Sequence, residues 1–237
     1  MNGTYSAVYR DASGEEATII HNDGTDLTMT IRGIRFTSQF FEDWEVQERA
    51  ENDLSLVSFT LLGTRLLVQQ GEAWLLTLCD CVLEWQMPVP VWDNGNVTTA
   101  LLYGKLELGP PRLPERGGLE FIFLMLTLGY NDRQYGGEKT SGYFETALNQ
   151  IGASLPPSVY LKTCFTCGLS DYSVFGNSTF GTLLCFRGCK NEYRAVRHAR
   201  FRKDEYMTVM DMYTEMVQET YLCPEWERRE PDTGYRG

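Results

Sequence analysis

Four cysteines in two closely spaced pairs constrain the fold of this chain more than any other feature of its sequence. Cys164 and Cys167 form the first pair, and Cys185 and Cys189 form the second pair after an intervening loop. Two such pairs of thiolates can complete a tetrahedral zinc site, because each pair reaches one metal ion from a single turn of backbone. A site made only of thiolates is normally closed to water, so the spacing predicts a structural zinc ion. The alternative is four buried free thiols, since cysteine packs well in cores.

The cysteine count also bears on the compartment. The chain has seven cysteines, an odd number, and the best-spaced ones resemble metal ligands, so we expect a reducing, cytoplasmic environment. Cys79 and Cys81 lie two apart in a predicted strand and therefore point to one face. We expect both to be core residues, because a disulfide between such close neighbours would be strained.

The composition predicts a folded protein that carries no membrane segment. Of the 237 residues, 43% are hydrophobic and 22% are charged, and the first sixteen are polar, without a secretory signal. The longest apolar run, residues 119–130, is shorter than the roughly 20 residues of a spanning helix. The formal charge of −11 argues against general binding to nucleic acid or anionic membranes, and it suits a basic protein partner.

Residues 1–157 are predicted to form a mainly β domain. Apolar residues recur at period two in residues 27–31, residues 54–62 form another apolar run, and residues 93–96 have the composition of a hairpin turn. Many strands with close turns predict an antiparallel β-sandwich or barrel-like sheet. The overall class is therefore α+β, with this sheet followed by a small zinc-stapled helical module.

Two segments of this first part carry sharper expectations. Residues 74–85 alternate over their whole length and are predicted to form one strand, which Pro88 and Pro90 end because proline cannot donate to a ladder. Residues 143–151 place apolar side chains at helical spacing, so a short amphipathic helix is expected there.

Residues 158–237 are predicted to form the cysteine-rich, zinc-binding helical module. Asp204 could cap a helix with an apolar stripe, and Cys223 with the following proline would end that helix. The stripe consists of Met207, Met210, Tyr213 and Val217.

Residues 187–203 form a basic segment with seven basic residues and one acidic residue, Glu192. The basic residues are Arg187, Lys190, Arg194, Arg197, Arg200, Arg202 and Lys203. A basic helix beside a zinc site suggests contact with nucleic acid. The alternatives are a solvated face, or a helix docked on the protein's own acidic surface, and the overall charge favours these.

No catalytic constellation stands out in the sequence. The only histidines, His21 and His198, have no argued serine or cysteine nucleophile, and Asp80 and Glu84 suit a solvated strand face. No glycine-rich phosphate loop follows a predicted strand. Whether the chain is an enzyme stays open, and the sequence leans towards a protein without enzymatic activity.

Several motifs resemble a bacterial family known as domain of unknown function 6304. They are the Cys-x2-Cys knuckle, Ser-Asp-Tyr-Ser at residues 170–173, Phe-Gly at residues 180–181, Cys-Phe-Arg at residues 185–187, Gln-Glu-Thr-Tyr-Leu-Cys-Pro-Glu at residues 218–225 and Thr-Gly-Tyr-Arg-Gly at residues 233–237. The resemblance is specific in the last 75 or so residues and looser upstream. It implies no activity.

The resemblance bears on the fourth zinc ligand. It implies the ligand set Cys164, Cys167, Cys185 and Cys223, whereas local spacing favours Cys189 as the fourth ligand. We take Cys223, because a thiolate there would also close a longer loop and restrict the unfolded chain more. The expected function is a non-enzymatic protein-binding module, such as a bacterial toxin-immunity inhibitor. The alternatives are a nucleic-acid-associated factor that uses residues 187–203, or an enzyme of unknown class.

Overall fold

A computed structural model of the chain describes residues 3–47, 56, 58–68, 71–113, 117–176, 179–197 and 203–236. Most of the regular structure is antiparallel strand with few helices, in agreement with the α+β class. The strands that precede the first helix are β1 (Gly3–Asp11), β2 (Gly14–Asn22), β3 (Leu27–Ile31), β4 (Ile34–Ser38), β5 (Glu45–Val46), β6 (Leu61–Val68), β7 (Gly71–Leu78), β8 (Cys81–Asp93), β9 (Asn96–Leu108), β10 (Ile122–Tyr130) and β11 (Arg133–Gly136). The later elements are α1 (Phe144–Ser154), β12 (Val159–Leu161), β13 (Ser170–Asp171), β14 (Leu183–Cys185), α2 (Lys190–Ala195), α3 (Lys203–Met210) and β15 (Glu215–Val217).

One large sheet contains twelve strands. Its order is β11-β10-β9-β8-β1-β2-β3-β4-β5-β7-β6, and β12 pairs with β8 beside this path. The described pairings have two ends, β11 and β6, so they form an open path and not the closed ring of a barrel. A second sheet of three short strands has the order β13-β14-β15.

The predicted strand over residues 74–85 is wrong, because the chain breaks within it. Strand β7 ends at Leu78 and β8 begins at Cys81, and Asp80 between them has a φ of 49°. Asp80 donates its backbone N–H to Gly109 at 3.0 Å instead of continuing the ladder. Cys79 and Cys81 flank this break and are buried, so their expected place in the core is confirmed.

The prediction that Pro88 and Pro90 end a strand is also wrong, because β8 runs through both. On one side, β8 pairs with β9 along its whole length. On the other side, its pairing with β1 stops at Gln86 and its pairing with β12 starts at Val91. The two prolines occupy this gap between neighbours, where no ladder bond requires their missing N–H.

The predictions of a hairpin turn and of an amphipathic helix are confirmed. The residues 93–96 form the predicted hairpin turn between β8 and β9, with Asn94 and Gly95 both at positive φ. The predicted amphipathic helix is α1, which buries Phe144, Leu148 and Ile151. The predicted run at residues 54–62 lies partly outside the described residues, and β6 begins within it at Leu61.

The second predicted helix of the C-terminal part is much shorter than expected. Helix α3 ends at Met210, and β15 follows on the segment that was assigned to the same helix. The expected apolar stripe is buried only in part: Met210 and Val217 are buried, whereas Met207 is 42% exposed and Tyr213 is 41% exposed. Tyr206, outside the expected stripe, is fully buried. The module is therefore not purely helical, since it contains the sheet β13-β14-β15.

One hydrophobic core contains side chains from both predicted parts. The ring of Phe180 packs at a tilt against the rings of Phe144 and Phe41, with 5.0 Å between ring centroids in each pair. Strand β12 adds to the large sheet although it lies beyond residue 157. The two parts therefore share packing and hydrogen bonds across the predicted boundary. No helix in the described part of the chain has the length and apolar character needed to cross a membrane.

Candidate functional site

Four cysteines that are distant in sequence converge in the C-terminal part. Cys164 begins a single helical turn that ends before Cys167, Cys185 ends β14, and Cys223 lies beyond β15. The backbone N–H of Cys167 donates to the carbonyl of Cys164 at 3.1 Å, which closes the knuckle. All four side chains are buried, and all seven cysteines of the chain are free thiols.

The thiols are close enough to affect one another electrostatically. Burial raises the pKa of the Cys164 thiol strongly, and the thiols of Cys167, Cys223 and Cys185 raise it further. Burial also raises the pKa of Cys167, and the Cys223 thiol raises it further. Burial likewise raises the pKa of Cys185, and the Cys167 thiol raises it further. Removing these groups from water disfavours the thiolate, so the neutral thiol is favoured at Cys164, Cys167 and Cys185.

A backbone amide donates a hydrogen bond to each of three of these sulfur atoms. Cys167 Sγ accepts the N–H of Leu169 at 3.4 Å, and Cys223 Sγ accepts the N–H of Glu225 at 3.3 Å. The Cys185 sulfur accepts the backbone N–H of Arg187. Each donor lies two residues after its cysteine, and hydrogen bonds of this kind favour the charged thiolate.

Cys189 is oriented away from this group. It is the last residue of a short turn at residues 187–189, whereas Cys185 ends β14, so the expectation that Cys185 and Cys189 share a helix face is wrong. Its thiol donates to the carbonyl of Met212 at 3.4 Å. Burial raises its pKa, and the only further contribution comes from the Glu192 carboxylate.

The four thiols that converge here are not arranged as the ligands of a metal ion. Among the described residues, no three or more His, Cys, Asp or Glu side chains are arranged so that they could hold a metal ion. Tetrahedral zinc requires sulfur atoms at about 2.3 Å from the metal. The donor chemistry of the cluster suits zinc, and the arrangement is that of four neighbouring thiols.

Asp171 organises the residues around the knuckle. Its side chain is fully buried and accepts the hydroxyl of Tyr193 at 2.9 Å and the backbone N–H of Tyr235 at 2.6 Å. Its carboxylate also pairs with Arg236 at 3.2 Å and with Arg229 at 3.6 Å. This cluster joins the segments at residues 170–173 and 233–236, which both lie in motifs of the family resemblance, although the resemblance assigned no role to the carboxylate or to the arginines.

Gly234 belongs to the same cluster and must be glycine. Its φ is 71°, and a Cβ atom there would come within 2.2 Å of the Tyr193 hydroxyl and 2.5 Å of the Asp171 carboxylate. A side chain would force the C-terminal segment away from Asp171. The close approach explains the glycine between Thr233 and Tyr235.

The basic segment is docked on the protein's own acidic tail, residues 225–230. Lys190 pairs with Glu225 at 2.9 Å, Arg194 pairs with Glu227 at 2.6 Å, and Arg197 pairs with Glu230 at 2.9 Å. Arg187 pairs with Glu215. The alternative of docking on an acidic surface is therefore observed for these four residues, whereas His198, Arg200 and Arg202 lie outside the described part. The glutamates at residues 225, 227 and 230 were the sequence signal from which this docking could have been predicted.

Two carboxyl groups, Glu219 fully buried and Glu42 half-buried, lie where the β part meets the C-terminal part. Glu219 is fully buried and accepts the Gly181 N–H at 2.6 Å and the Tyr172 hydroxyl at 3.2 Å. Glu42 accepts the Thr179 N–H at 3.0 Å. Burial raises the pKa of each carboxyl group to about 7, and the charge of Glu219 contributes to the shift at Glu42.

Residues proposed for other roles do not join these clusters. His21 lies on β2 and pairs in register with Thr4 and Thr28. Glu84 lies on β8, where its carboxylate forms ion pairs with Lys105 at 3.3 Å and Arg10 at 3.6 Å. Asp80 is exposed at the break between β7 and β8. The solvated strand face expected for Asp80 and Glu84 is therefore found for Glu84 only, because Asp80 lies between the two strands.

The chain belongs to a family of unknown function, DUF6304, whose model matches residues 3–170. The match confirms the resemblance to this family. It covers the large sheet, α1 and the knuckle, and it ends at Ser170, so it does not test the motifs beyond that residue. No curated protein and no solved structure matches the chain.

Proposed function

We propose that this chain is a non-enzymatic protein-binding module whose C-terminal part is held by one structural zinc ion. The observation that carries the proposal is the convergence of Cys164, Cys167, Cys185 and Cys223, three of which accept a backbone N–H. Zinc binding would replace the protons of these four buried thiols. The zinc ion would connect the knuckle, β14 and the segment after β15.

The zinc proposal is tested by metal content and by chelation. Protein produced with zinc supplied should contain one zinc ion per chain in elemental analysis, and Cys79→Ser, in a cysteine outside the cluster, should contain the same amount. Chelation should expose the C-terminal part to protease before the large sheet, because metal binding and local folding are coupled. Zinc content well below one per chain would refute the proposal.

The partner is proposed to be a basic protein. The net charge of −11 steers encounters with positively charged partners. An apolar patch for contact lies around α3 and β15, where Met207, Met212, Tyr213 and Met216 are 41–55% exposed. Asp211 is exposed beside them. Flexible methionine side chains adapt well to apolar partner surfaces. Inhibition of a bacterial toxin is the biological role that we propose for such a module.

The binding proposal is tested with a patch variant. Tagged wild-type protein should retain a basic partner from native cells at low salt and release it at high salt, because charge steers the complex. The variant Met212→Lys with Met216→Lys should lose that partner, whereas Met125→Lys on β10, outside the patch, should retain it. If the patch variant and wild type retain the same partners, the patch is not the contact surface.

The alternative of nucleic-acid binding is weakened by the pairing of the basic segment. Arg187, Lys190, Arg194 and Arg197 each have a carboxylate partner, so a phosphate would have to displace the protein's own tail. We therefore expect no submicromolar, salt-dependent binding of DNA or RNA in a filter-binding assay. Such binding would favour the nucleic-acid alternative.

A further inference from the structure

A cavity of about 620 Å³ lies between α1, the knuckle and the C-terminal tail. Its volume falls within the roughly 300–1,000 Å³ of small-molecule sites. Three arginines line it, Arg228, Arg229 and Arg236, against the single carboxylate of Glu145. The cavity is thus cationic although the whole chain carries a charge of −11.

The carboxylates of the tail at residues 225–230 are directed away from this cavity. Glu225 and Glu227 pair with Lys190 and Arg194 on the basic segment. The residues between and after them, Trp226 and Arg228, line the cavity. Glu225 and Glu227 are absent from the lining of the cavity, so their pairing with the basic segment leaves the cavity its positive charge.

The backbone of the tail is held at this position by close packing on the knuckle. Gly168 donates its N–H to the Glu227 carbonyl at 2.8 Å, and Cys167 forms an isolated bridge with Arg228. A Cβ atom on Gly168 would come within 2.9 Å of the Arg228 carbonyl oxygen. The position of Arg228 is therefore set by backbone contacts, while its side chain is exposed.

Arg228 is available to a ligand, unlike the arginines beneath it. Arg229 and Arg236 are both committed to the buried carboxylate of Asp171. Among the described residues, Arg228 has no carboxylate partner, and its guanidinium lies 5.3 Å from the centroid of the Tyr160 ring. A guanidinium in this position can pair with carboxylate or phosphate through two parallel hydrogen bonds.

Aromatic rings form a wall beside this guanidinium. The rings of Tyr160 and Trp226 stack at 5.8 Å between centroids with an interplanar angle of 16°. The Trp226 indole N–H donates to the Thr163 carbonyl at 2.9 Å, which fixes the orientation of the ring. Phe165 also lines the cavity. Flat, fixed aromatic surfaces favour the binding of a planar group.

We propose that this cavity binds a small organic anion that carries a planar ring. Arg228 pairs with the anionic group, and Trp226 and Tyr160 contact the ring. Arg229 and Arg236 contribute positive potential from the floor of the cavity while they remain bonded to Asp171. The proposed ligand contacts neither the proposed metal nor the proposed protein partner, so its binding is measured separately from both.

The proposal is tested by isothermal titration calorimetry of the full chain at low ionic strength. The probes are adenosine monophosphate, phenyl phosphate and benzoate, with adenosine and inorganic phosphate as partial ligands. At least one ring-bearing anion should bind with a Kd below about 1 mM, and both partial ligands should bind at least about tenfold more weakly. The probe that binds most tightly distinguishes a nucleotide, an aryl phosphate and an aryl carboxylate.

A charge-matched pair of variants decides whether the cavity is the site. Arg228→Gln should weaken binding of the best probe by about tenfold or more, because it removes a charged hydrogen-bond donor at an exposed position. Arg133→Gln removes an exposed arginine on β11, outside the cavity, and should leave binding unchanged. The proposal is overturned if no probe binds at about 1 mM, if inorganic phosphate binds as tightly as the best probe, or if the two variants behave alike.

Discussion

The side chains of Asn22 and Gln218 donate hydrogen bonds to each other across 196 residues of sequence. Asn22 Nδ2 lies 2.7 Å from Gln218 Oε1, and Gln218 Nε2 lies 3.0 Å from Asn22 Oδ1. Both side chains are buried, at the end of β2 and just after β15. This amide pair, together with the shared core, connects the large sheet to the C-terminal part.

Gln218→Ala should lower the free energy of unfolding by about 1–3 kcal/mol, because the buried amide of Asn22 loses one donor and one acceptor. Urea denaturation followed by circular dichroism measures the change. Gln134→Ala on the exposed strand β11 is the matched control and should stay within about 0.5 kcal/mol of wild type. Equal stability of the two variants would show that the amide pair contributes nothing.

Asp171→Asn should lower the free energy of unfolding by about 3–5 kcal/mol, because it leaves Arg229 and Arg236 as buried charges without their carboxylate. The C-terminal segment should also become sensitive to limited proteolysis. The control Glu107→Gln removes a more exposed ion pair with Lys139 and should cost about 0–1 kcal/mol. An intact C-terminus in the Asp171 variant would contradict the role assigned to this carboxylate.

The stability of the protein should fall as the pH rises from about 4.5 to about 7. Burial raises the pKa of Glu42 and Glu219 from 4.5 to about 7, so the folded chain binds protons more tightly than the unfolded chain in this window. The stabilisation is complete below the unfolded pKa and is lost through the folded pKa. Each carboxyl group contributes at most about 1.4 kcal/mol per pH unit.

Variants assign this pH dependence to the two carboxyl groups. Urea denaturation across the window should give a smaller slope for Glu42→Gln and for Glu219→Gln than for wild type. Glu120→Gln, at an exposed position before β10, should keep the wild-type slope. An unchanged slope in both buried-site variants would mean that other groups carry the pH dependence.

Local patterns in the sequence predicted the local structure well. The period-two run of β3, the positive-φ turn at Asn94 and Gly95, and the apolar face of α1 depend on neighbours along the chain. The prediction that Pro88 and Pro90 end a strand is wrong because the effect of a proline depends on which strands flank β8 at that point. Chain order alone does not reveal the gap between β1 and β12.

The candidate sites likewise contain local motifs, which the sequence predicts, and long-range contacts, which it does not. The knuckle at Cys164 and Cys167 is a local motif, and its spacing was visible in the sequence. The contact between Asp171 and Arg236 joins residues 65 positions apart, so no local pattern could indicate it. Helix α3 was extended too far because the methionines after Tyr206 fit a helical period, although tertiary pairing with β14 makes the later segment a strand.

The fourth zinc ligand is predicted to be Cys223 and not Cys189. The Cys223 thiol acts electrostatically on Cys164 and Cys167 and accepts the N–H of Glu225, whereas Cys189 bonds to Met212 on the other side of the turn. Cys223→Ser should therefore lose zinc and melt at a lower temperature, since its thiolate would also close the loop that begins at the knuckle. Cys189→Ser should keep one zinc ion per chain, because its side chain only fills a buried position. Elemental analysis and thermal unfolding of both variants make the comparison, and loss of zinc from Cys189→Ser with retention in Cys223→Ser would reverse the assignment.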